Sequence, residues 1–153
     1  MFIAYNKLMY NIKLGYYECI GYGSSRQVFD LGNGYVIKVA INRAGIEQNI
    51  EEYRISSMDN SGLFAKVVQA SKRFKIIVME KANIINNISY VFKYFNVKNR
   101  KEFLNLPQLK RIQEKYNLVL NDLYRESSWG IIDRKIVIID YGFTKRVKDK
   151  YYQ

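Results

Sequence analysis

The chain has 153 residues, of which 48% are hydrophobic, with a formal net charge of +11 and no histidine. This length suits one domain or two small lobes, and no stretch approaches the ~20 uninterrupted apolar residues that span a bilayer. The single cysteine, Cys19, cannot form an internal disulfide, and without histidine a zinc site is close to excluded, so a reducing, cytoplasmic compartment is expected.

Five short segments in the first half of the sequence have the composition of β-strands. They are Tyr17–Ile20, Gln27–Leu31, Val36–Ala40, Leu63–Ala70 and Phe74–Glu80. The residues Gly32-Asn33-Gly34 favour a tight turn, so the first three segments are predicted to form an antiparallel meander. Between Gly45 and Ser57, Ile46, Ile50 and Tyr53 recur at helical spacing, which predicts an amphipathic helix.

After Ala82 the pattern becomes mostly helical. The predicted elements are helices over Ile84–Phe95, Arg100–Leu106 (capped by Asn99) and Pro107–Tyr116, followed by a hairpin over Trp129–Asp140. The expected fold class is therefore α+β, with a five-stranded lobe that carries one helix and a small, mostly helical lobe. Both belong to one predicted domain, with lobes at residues 1–80 and 81–153.

The excess of basic residues indicates an anionic partner and leaves its class open. Nucleotide, nucleic acid and an acidic protein surface all fit, and so does a solvated lysine-rich surface encoded by an AT-rich genome. The amino-terminal segment Met1–Lys7 lacks a basic region followed by a long apolar run, so a secretory signal is not expected.

A glycine-rich turn, Gly21-Tyr22-Gly23-Ser24-Ser25-Arg26, joins the first two predicted strands. Glycines in such a turn let backbone N–H groups approach phosphate oxygens, although many hairpins contain two glycines for other reasons. A strand and not a helix follows this turn, so it is not a dinucleotide-binding fingerprint.

Lys38 lies between Ile37 and Val39 in the third predicted strand. Because side chains alternate along a strand, the two apolar neighbours share one face and Lys38 takes the other. It is either a solvated lysine or a phosphate-binding lysine held by a glutamate. Glu51 and Glu52 of the predicted helix are the candidates for that carboxylate.

Two aspartates in the second half have candidate roles. Asp140 ends the apolar strand Lys135–Ile139 in the motif Asp140-Tyr141-Gly142, where a carboxylate can bind Mg²⁺ that bridges phosphate oxygens. Asp122 lies in an apolar setting before an irregular loop, and it is either a catalytic base or a turn carboxylate.

In this order, the glycine turn, strand lysine, helix glutamate and two aspartates resemble the protein-kinase-like superfamily. The resemblance implies ATP and Mg²⁺ as ligands. It assigns catalytic roles to Asp122, Lys38 and Glu52, with Glu52 preferred over Glu51 because Gln48-Asn49-x-x-Glu52 resembles bacterial kinase-like proteins. The implied ATP-binding residues are Gly21, Gly23, Ser24, Ser25, Arg26, Lys38, Met79, Glu80 and Ala82, and the implied metal ligands are Asp140 and Ser127. Among the former, the resemblance places Met79 at the back of the adenine pocket and the backbone of Glu80 to Ala82 in hydrogen bonds with adenine.

The sequence also departs from the kinase pattern. Arg26 replaces the third glycine and either contacts phosphate or closes the loop; Leu120-Asn121 replaces the histidine-arginine pair before Asp122. Ser127 stands where kinases carry the asparagine that holds a second metal ion. Only Phe143–Gln153 follow the Asp-Tyr-Gly motif, so the resemblance implies a minimal bacterial or phage protein with a truncated C-terminal lobe.

Three hypotheses about function follow. The first is a phosphotransferase that acts on a hydroxyl, of a protein Ser/Thr or of the chain itself. The second is a pseudokinase or docking module that binds and inhibits a host protein through a basic surface formed by Phe143–Lys148, Lys110 and Arg111. The third is nucleic-acid binding through the basic, tyrosine-rich surface, because tyrosines can stack on bases. No membrane partner is expected.

Overall fold

The computed structural model describes residues 4–152. Residues 1–3 of the amino-terminal segment, for which no secretory signal is expected, lie outside the described residues. The elements in chain order are α1 (Tyr5–Lys13), β1 (Glu18–Tyr22), β2 (Arg26–Asp30), β3 (Tyr35–Ala40), α2 (Arg43–Met58), β4 (Val67–Ala70), β5 (Ile76–Glu80), β6 (Asn83–Ile84), α3 (Ser89–Tyr94), α4 (Arg100–Leu104), α5 (Pro107–Tyr116), α6 (Leu120–Leu123), a 3-10 helix (Glu126–Ser128), β7 (Trp129–Ile132), β8 (Lys135–Ile138) and α7 (Lys145–Tyr151).

These elements group into two compact units. The first comprises the chain up to Ser57 together with Lys66–Lys81, and the second comprises Met58–Ala65 together with the chain from Ala82 onward. The first unit holds an antiparallel sheet in the order β1-β2-β3-β5-β4, and the second holds a sheet in the order β6-β7-β8. The predicted α+β fold class with its five-stranded antiparallel sheet is confirmed, while the predicted lobes at 1–80 and 81–153 stay a prediction.

Helix α1, which the sequence analysis did not predict, covers one face of the five-stranded sheet. Leu8 of this helix is fully buried in an apolar cluster with sheet residues. The sheet residues in that cluster are Phe29, Ile37, Val39, Ile76 and Val78. Because Ile37 and Val39 point to this face, the alternation along β3 turns Lys38 to the opposite face.

Helix α2 is held on that opposite face by a row of residues spaced three and four apart, which begins one residue before the helix. This row, the docking stripe, consists of Asn42, Gly45, Asn49, Glu52 and Ser56. The Asn42 Nδ2 donates to the Ser24 carbonyl at 2.9 Å, and the Ser56 hydroxyl accepts the Val67 N–H at 2.9 Å. These contacts connect the beginning of the helix to the β1–β2 hairpin and its end to β4. Polar contacts therefore attach both ends of the helix to the sheet.

The predicted helix is present, but the three residues whose spacing indicated it are not the most buried residues of α2. Ile46 and Ile50 are only half-buried and Tyr53 is 40% exposed, whereas Asn49 and Glu52 are fully buried. Apolar periodicity identified the helix, but in α2 the apolar residues that carried this signal lie toward the outer side.

Aromatic side chains dominate the second unit. Its aromatic cluster consists of Phe92, Phe95, Phe103 and Trp129, with the Phe103 and Trp129 ring centroids 5.9 Å apart and both side chains fully buried. The predicted helix over Ile84–Phe95 is shorter than expected, because β6 takes its first residue and α3 begins only at Ser89.

Local sequence signals explain the helix boundaries in this unit. Asn99 caps α4, since its Oδ1 accepts the Glu102 N–H at 2.9 Å, and Pro107 occupies the first turn of α5. Asn117 ends α5 in the left-handed conformation, with φ of 53°. Within residues 4–152, no helix has the length and apolar content required to cross a bilayer.

Candidate functional site

The glycine-rich turn forms a tight hairpin between β1 and β2. Tyr22 pairs with Gln27, and the Gly23 N–H donates to the Arg26 carbonyl at 3.0 Å. Gly23 lies outside the positive-φ region, and a Cβ added to it would meet no atom closer than 3.9 Å. The surrounding protein therefore does not require glycine at position 23.

The hairpin is attached to the beginning of α2. The Ser25 carbonyl accepts the Ile41 N–H at 2.9 Å, and a Cβ on Gly45 would lie well inside contact distance of the same carbonyl oxygen. Ser25 is buried, whereas Ser24 at the hairpin tip is exposed. This close approach requires glycine at position 45 and fixes the hairpin backbone against the helix.

Lys38 is a buried residue in the middle of the sheet. It is 5% exposed and pairs with Val28 of β2, which in turn pairs with Gly21 of β1. Arg26 precedes Val28 by two residues, so Arg26 and Lys38 point to the same face of the sheet. Lys38 is therefore not a solvated surface lysine.

Glu52 of α2 binds both of these cations. Its carboxylate accepts two hydrogen bonds from Arg26, at 2.8 Å from Nη1 and 3.1 Å from Nη2. The Lys38 Nζ lies 2.9 Å from Oε1 and 3.1 Å from Oε2. Arg26 Nη1 also donates to the Asn49 Oδ1 at 3.1 Å. Arg26, Lys38 and Glu52 form a buried triad whose side chains together carry one net positive charge.

The triad keeps Glu52 ionised. Burial by itself raises the pKa of Glu52, but the charge of Arg26, then that of Lys38, and the hydrogen bonds from both outweigh it and lower the pKa to about 2. The neighbouring Glu51 instead forms an ion pair with Arg54 at 3.2 Å. Of the two glutamates that the sequence offered, the structure brings Glu52 to Lys38.

The residues predicted to contact adenine lie at the end of β5 and just after it. Met79 is 1% exposed. The Glu80 N–H donates to the Lys66 carbonyl at 2.9 Å, and the Lys81 N–H donates to the Gly34 carbonyl at 2.9 Å. Ala82 begins the main segment of the second unit. Two of the backbone N–H groups in the predicted adenine segment thus have partners within the first unit.

Asp122 lies in the short helix α6, and both of its chain neighbours are anchored. The Asn121 Oδ1 accepts a hydrogen bond from Arg100 at 2.8 Å, and the Leu123 carbonyl accepts the Trp129 indole N–H at 2.8 Å. The aromatic cluster therefore fixes the backbone on which the Asp122 carboxylate is mounted.

The charges around Asp122 act in opposite directions. Burial raises the pKa of Asp122, the Arg125 guanidinium at 2.7 Å opposes this shift, and the Asp140 carboxylate raises the pKa again. Lys148 of α7 has a smaller lowering effect on the same pKa. The second unit thus brings Asp122 and Asp140 into electrostatic contact and places two basic side chains around them.

Asp140 is an exposed residue between two fixed neighbours. The Ile139 N–H donates to the Ser128 carbonyl at 2.8 Å, and the buried Tyr141 hydroxyl donates to the Ala65 carbonyl at 2.6 Å. The strand itself ends at Ile138, so Asp140 lies in the extended segment after β8.

The donor chemistry around Asp140 fits Mg²⁺, a hard cation that proteins commonly bind through one or two carboxylates plus substrate phosphate and water. Asp140 and Asp122 supply carboxylates of this kind, and Ser127 is exposed in the 3-10 helix. Across residues 4–152, no group of three or more His, Cys, Asp or Glu side chains is arranged to hold a metal ion.

Sequence reasoning missed two charged residues near Asp122. Arg125 follows it by three residues, a spacing at which helical side chains meet, so this signal was readable from the sequence. Lys148 carried no such signal, because its position depends on α7, where Thr144 caps the helix and Val147 is fully buried. The sequence analysis treated this segment only as part of a basic surface.

Neither a protein-family model nor a curated protein matches the sequence. Among solved structures, the chain is similar to the PknI kinase domain of Mycobacterium tuberculosis, at 14% identity and a TM-score of 0.46, over 84% of this chain and 60% of that domain. It is also similar to the bifunctional kinase-methyltransferase WbdD, at 18% identity and a TM-score of 0.43, over 78% of this chain and 30% of that one. The chain spans less than two thirds of the length of either structure.

Proposed function

We propose that this chain binds ATP with Mg²⁺ and transfers the γ-phosphoryl group to a hydroxyl. The observation that carries the proposal is the buried Lys38–Glu52 pair. Burying a charged lysine is costly unless it is paired, and an ion pair of this type holds the ammonium where it can meet phosphate oxygens. The glycine at position 23, which internal packing does not require, supports the same function.

In the second unit, Asp140 is the proposed metal ligand. A bound Mg²⁺ would neutralise charge on the phosphate oxygens. Asp122 is the proposed base: as the acceptor oxygen forms its bond to the γ-phosphorus and the bond to the β-phosphate oxygen breaks, the acceptor proton moves to the Asp122 carboxylate. A raised pKa favours this proton transfer but restricts it to a pH above that at which an ordinary aspartate ionises.

Nucleotide binding is tested by thermal unfolding. ATP with Mg²⁺ at about 100 times its Kd should stabilise the wild-type chain by about 2.7 kcal/mol. Combining Lys38→Ala with Asp140→Ala should abolish this shift, and Arg26 keeps Glu52 paired in that variant. Lys72→Ala, which removes an exposed lysine of the first unit, is the matched control and should retain the shift. The proposal fails if saturating nucleotide leaves the wild-type melting temperature unchanged.

Transfer is tested with labelled ATP, using the chain itself and a host lysate as acceptors. Asp122→Asn should abolish labelling while the nucleotide-induced melting shift remains. The wild-type rate should fall on acidification at a higher pH than an unperturbed aspartate would give, because the pKa of Asp122 is raised. Labelling that persists in Asp122→Asn would contradict the assigned role of the base.

A second candidate is a pseudokinase that binds nucleotide without transfer and docks an acidic host protein. The 2.7 Å ion pair between Asp122 and Arg125 favours it, since a carboxylate oxygen engaged by arginine is less available to an acceptor hydroxyl. The α7 residues Lys145, Arg146, Lys148 and Lys150 are exposed and would supply the basic surface. ATP binding with no labelling under any metal ion would support this candidate.

A further inference from the structure

We propose that Arg26 is a positioning residue for Lys38: it holds Glu52 from the sheet so that the Lys38 ammonium is kept in one place for a polyphosphate ligand. This inference rests on the proposed nucleotide binding. The sequence analysis left two roles for Arg26, contacting phosphate or closing the loop. The structure places its guanidinium on Glu52 and Asn49 in the interior of the first unit.

The geometry of the guanidinium supports a holding role. Two parallel N–H···O bonds from Arg26 fix both oxygens of Glu52 in one plane, which a single ammonium cannot do. Lys38 then lies almost equally far from both oxygens, at 2.9 and 3.1 Å. The carboxylate that orients the lysine is thus itself oriented by a side chain from the neighbouring strand.

Asn49 extends the attachment to a third element. Its Oδ1 accepts from Arg26, while its Nδ2 donates to the Phe74 carbonyl at 2.8 Å in the turn between β4 and β5. Arg26 therefore contacts two residues of α2, and the first of these, Asn49, is also bonded to the turn between β4 and β5. Through this arrangement Glu52 stays at Lys38 whenever α2 is in place.

Charge gives the same residue a second effect on the same site. Arg26 brings a second positive charge to the Glu52 carboxylate beside Lys38. Without Arg26 the site would hold one positive charge fewer and would attract phosphate less. Loss of orientation and loss of charge both weaken polyphosphate binding, and neither acts on the uncharged adenosine part of the ligand.

The experiment compares the affinities of Mg·ATP and adenosine by calorimetry, at a temperature where every variant is folded. Arg26→Met should weaken ATP binding by about tenfold or more, the size of a lost charge-assisted hydrogen bond, and leave adenosine binding unchanged. Arg26→Lys, which keeps the charge but not the two-pronged contact, should bind ATP several-fold more weakly than wild type. Arg54→Met, which removes a partly exposed arginine of α2, should match wild type.

The outcomes separate the two proposals. If wild type binds no ATP, the proposed function itself fails. If wild type binds ATP and Arg26→Met binds it equally well despite a lower melting temperature, Arg26 is purely structural and the inference is overturned. Equal losses for ATP and adenosine would also overturn it. Should Arg26→Met not fold, Arg26→Lys decides alone: ATP affinity equal to wild type would contradict the positioning role.

Discussion

Helix α2 and the aromatic cluster hold their surroundings together by different chemistry. The docking stripe of α2 uses amide, carboxylate and hydroxyl groups, each with a specific partner on the sheet. The cluster of Phe92, Phe95, Phe103 and Trp129 uses ring packing, with centroid separations of 5.1 to 6.4 Å. Hydrogen bonds and ion pairs depend on direction and charge, whereas apolar packing tolerates changes of similar volume.

Directional polar contacts lie beside Lys38, where orientation matters, and apolar ring packing lies where only the backbone has to be held. In the first unit the contacts that attach α2 also orient Lys38, so precision matters more than tolerance. In the second unit the aromatic cluster holds the backbone around Asp122, and the hydrogen bond from the Trp129 indole to the Leu123 carbonyl connects the cluster to that backbone.

The largest expected effect is on the triad. Glu52→Gln leaves the Arg26 and Lys38 charges buried without their carboxylate, so the free energy of unfolding should fall by about 3–5 kcal/mol. Urea denaturation followed by far-UV circular dichroism measures this change. Glu51→Gln is the matched control on the same helix; its partner Arg54 is partly exposed, so a loss of about 1 kcal/mol or less is expected. Equal losses in the two variants would contradict the special role of Glu52.

The second-largest expected effect is a loss of unfolding free energy when acid protonates Glu52. Because the folded-state pKa of Glu52 is lowered from 4.5 to about 2, its contribution is complete above pH 4.5 and is lost as the pH falls toward 2. This pKa difference corresponds to about 3 kcal/mol of the free energy of unfolding. Denaturation curves measured at intervals between pH 6 and pH 2 report it, and Glu52→Gln should have a correspondingly shallower pH dependence.

The aromatic cluster supplies the contrast for that measurement. Trp129→Phe removes the hydrogen bond to Leu123 and some ring volume, and no ionisable group. Its loss of unfolding free energy should therefore be the same at pH 6 and pH 3. A loss that grows on acidification would indicate that the cluster depends on a titrating group, which would remove the distinction between the two regions.

A smaller effect is expected at Gly45. A Cβ at this position overlaps the Ser25 carbonyl oxygen and also meets the Ala40 Cβ at 3.0 Å, so Gly45→Ala should cost about 1–3 kcal/mol. Gly23→Ala has room for the methyl group and should change stability by no more than about 0.5 kcal/mol. Thermal unfolding of the two variants tests the pair. A comparable loss in Gly23→Ala would show that packing explains both glycines.

Much of the first unit was predictable because alternation and turn residues mark its strands directly. Helix α1 was not, since it begins after Ala4 with no capping side chain and has no acidic residue in its first turn. The two-residue strand β6 is too short to carry any pattern. In α2, apolar periodicity identified the helix but gave no sign that polar side chains such as Asn49 and Glu52 are fully buried.

The triad was predictable only in part. Order along the chain pointed to Lys38 and Glu52, but the contact of Arg26 with Glu52 depends on the register of β2 against β3. A shift of one residue would turn Arg26 to the other face relative to Lys38, and the Gly32-Asn33-Gly34 turn does not specify a single loop length. The sequence shows that arginine replaces glycine at position 26. The reason for the arginine, its contact with Glu52, becomes apparent only from the pairing of β2 with β3.

The contact between Gly45 and the Ser25 carbonyl has a mechanical consequence. With Asn42 bonded to the Ser24 carbonyl, it leaves no clearance between the glycine hairpin and the first turn of α2. A displacement of helix α2 along its axis must therefore move the hairpin tip with it, so the hairpin and the helix are expected to move as one rigid unit. In nuclear magnetic resonance relaxation, the backbone amides of Ser24 and Gly45 should share one order parameter, that of a helix and not of an exposed loop.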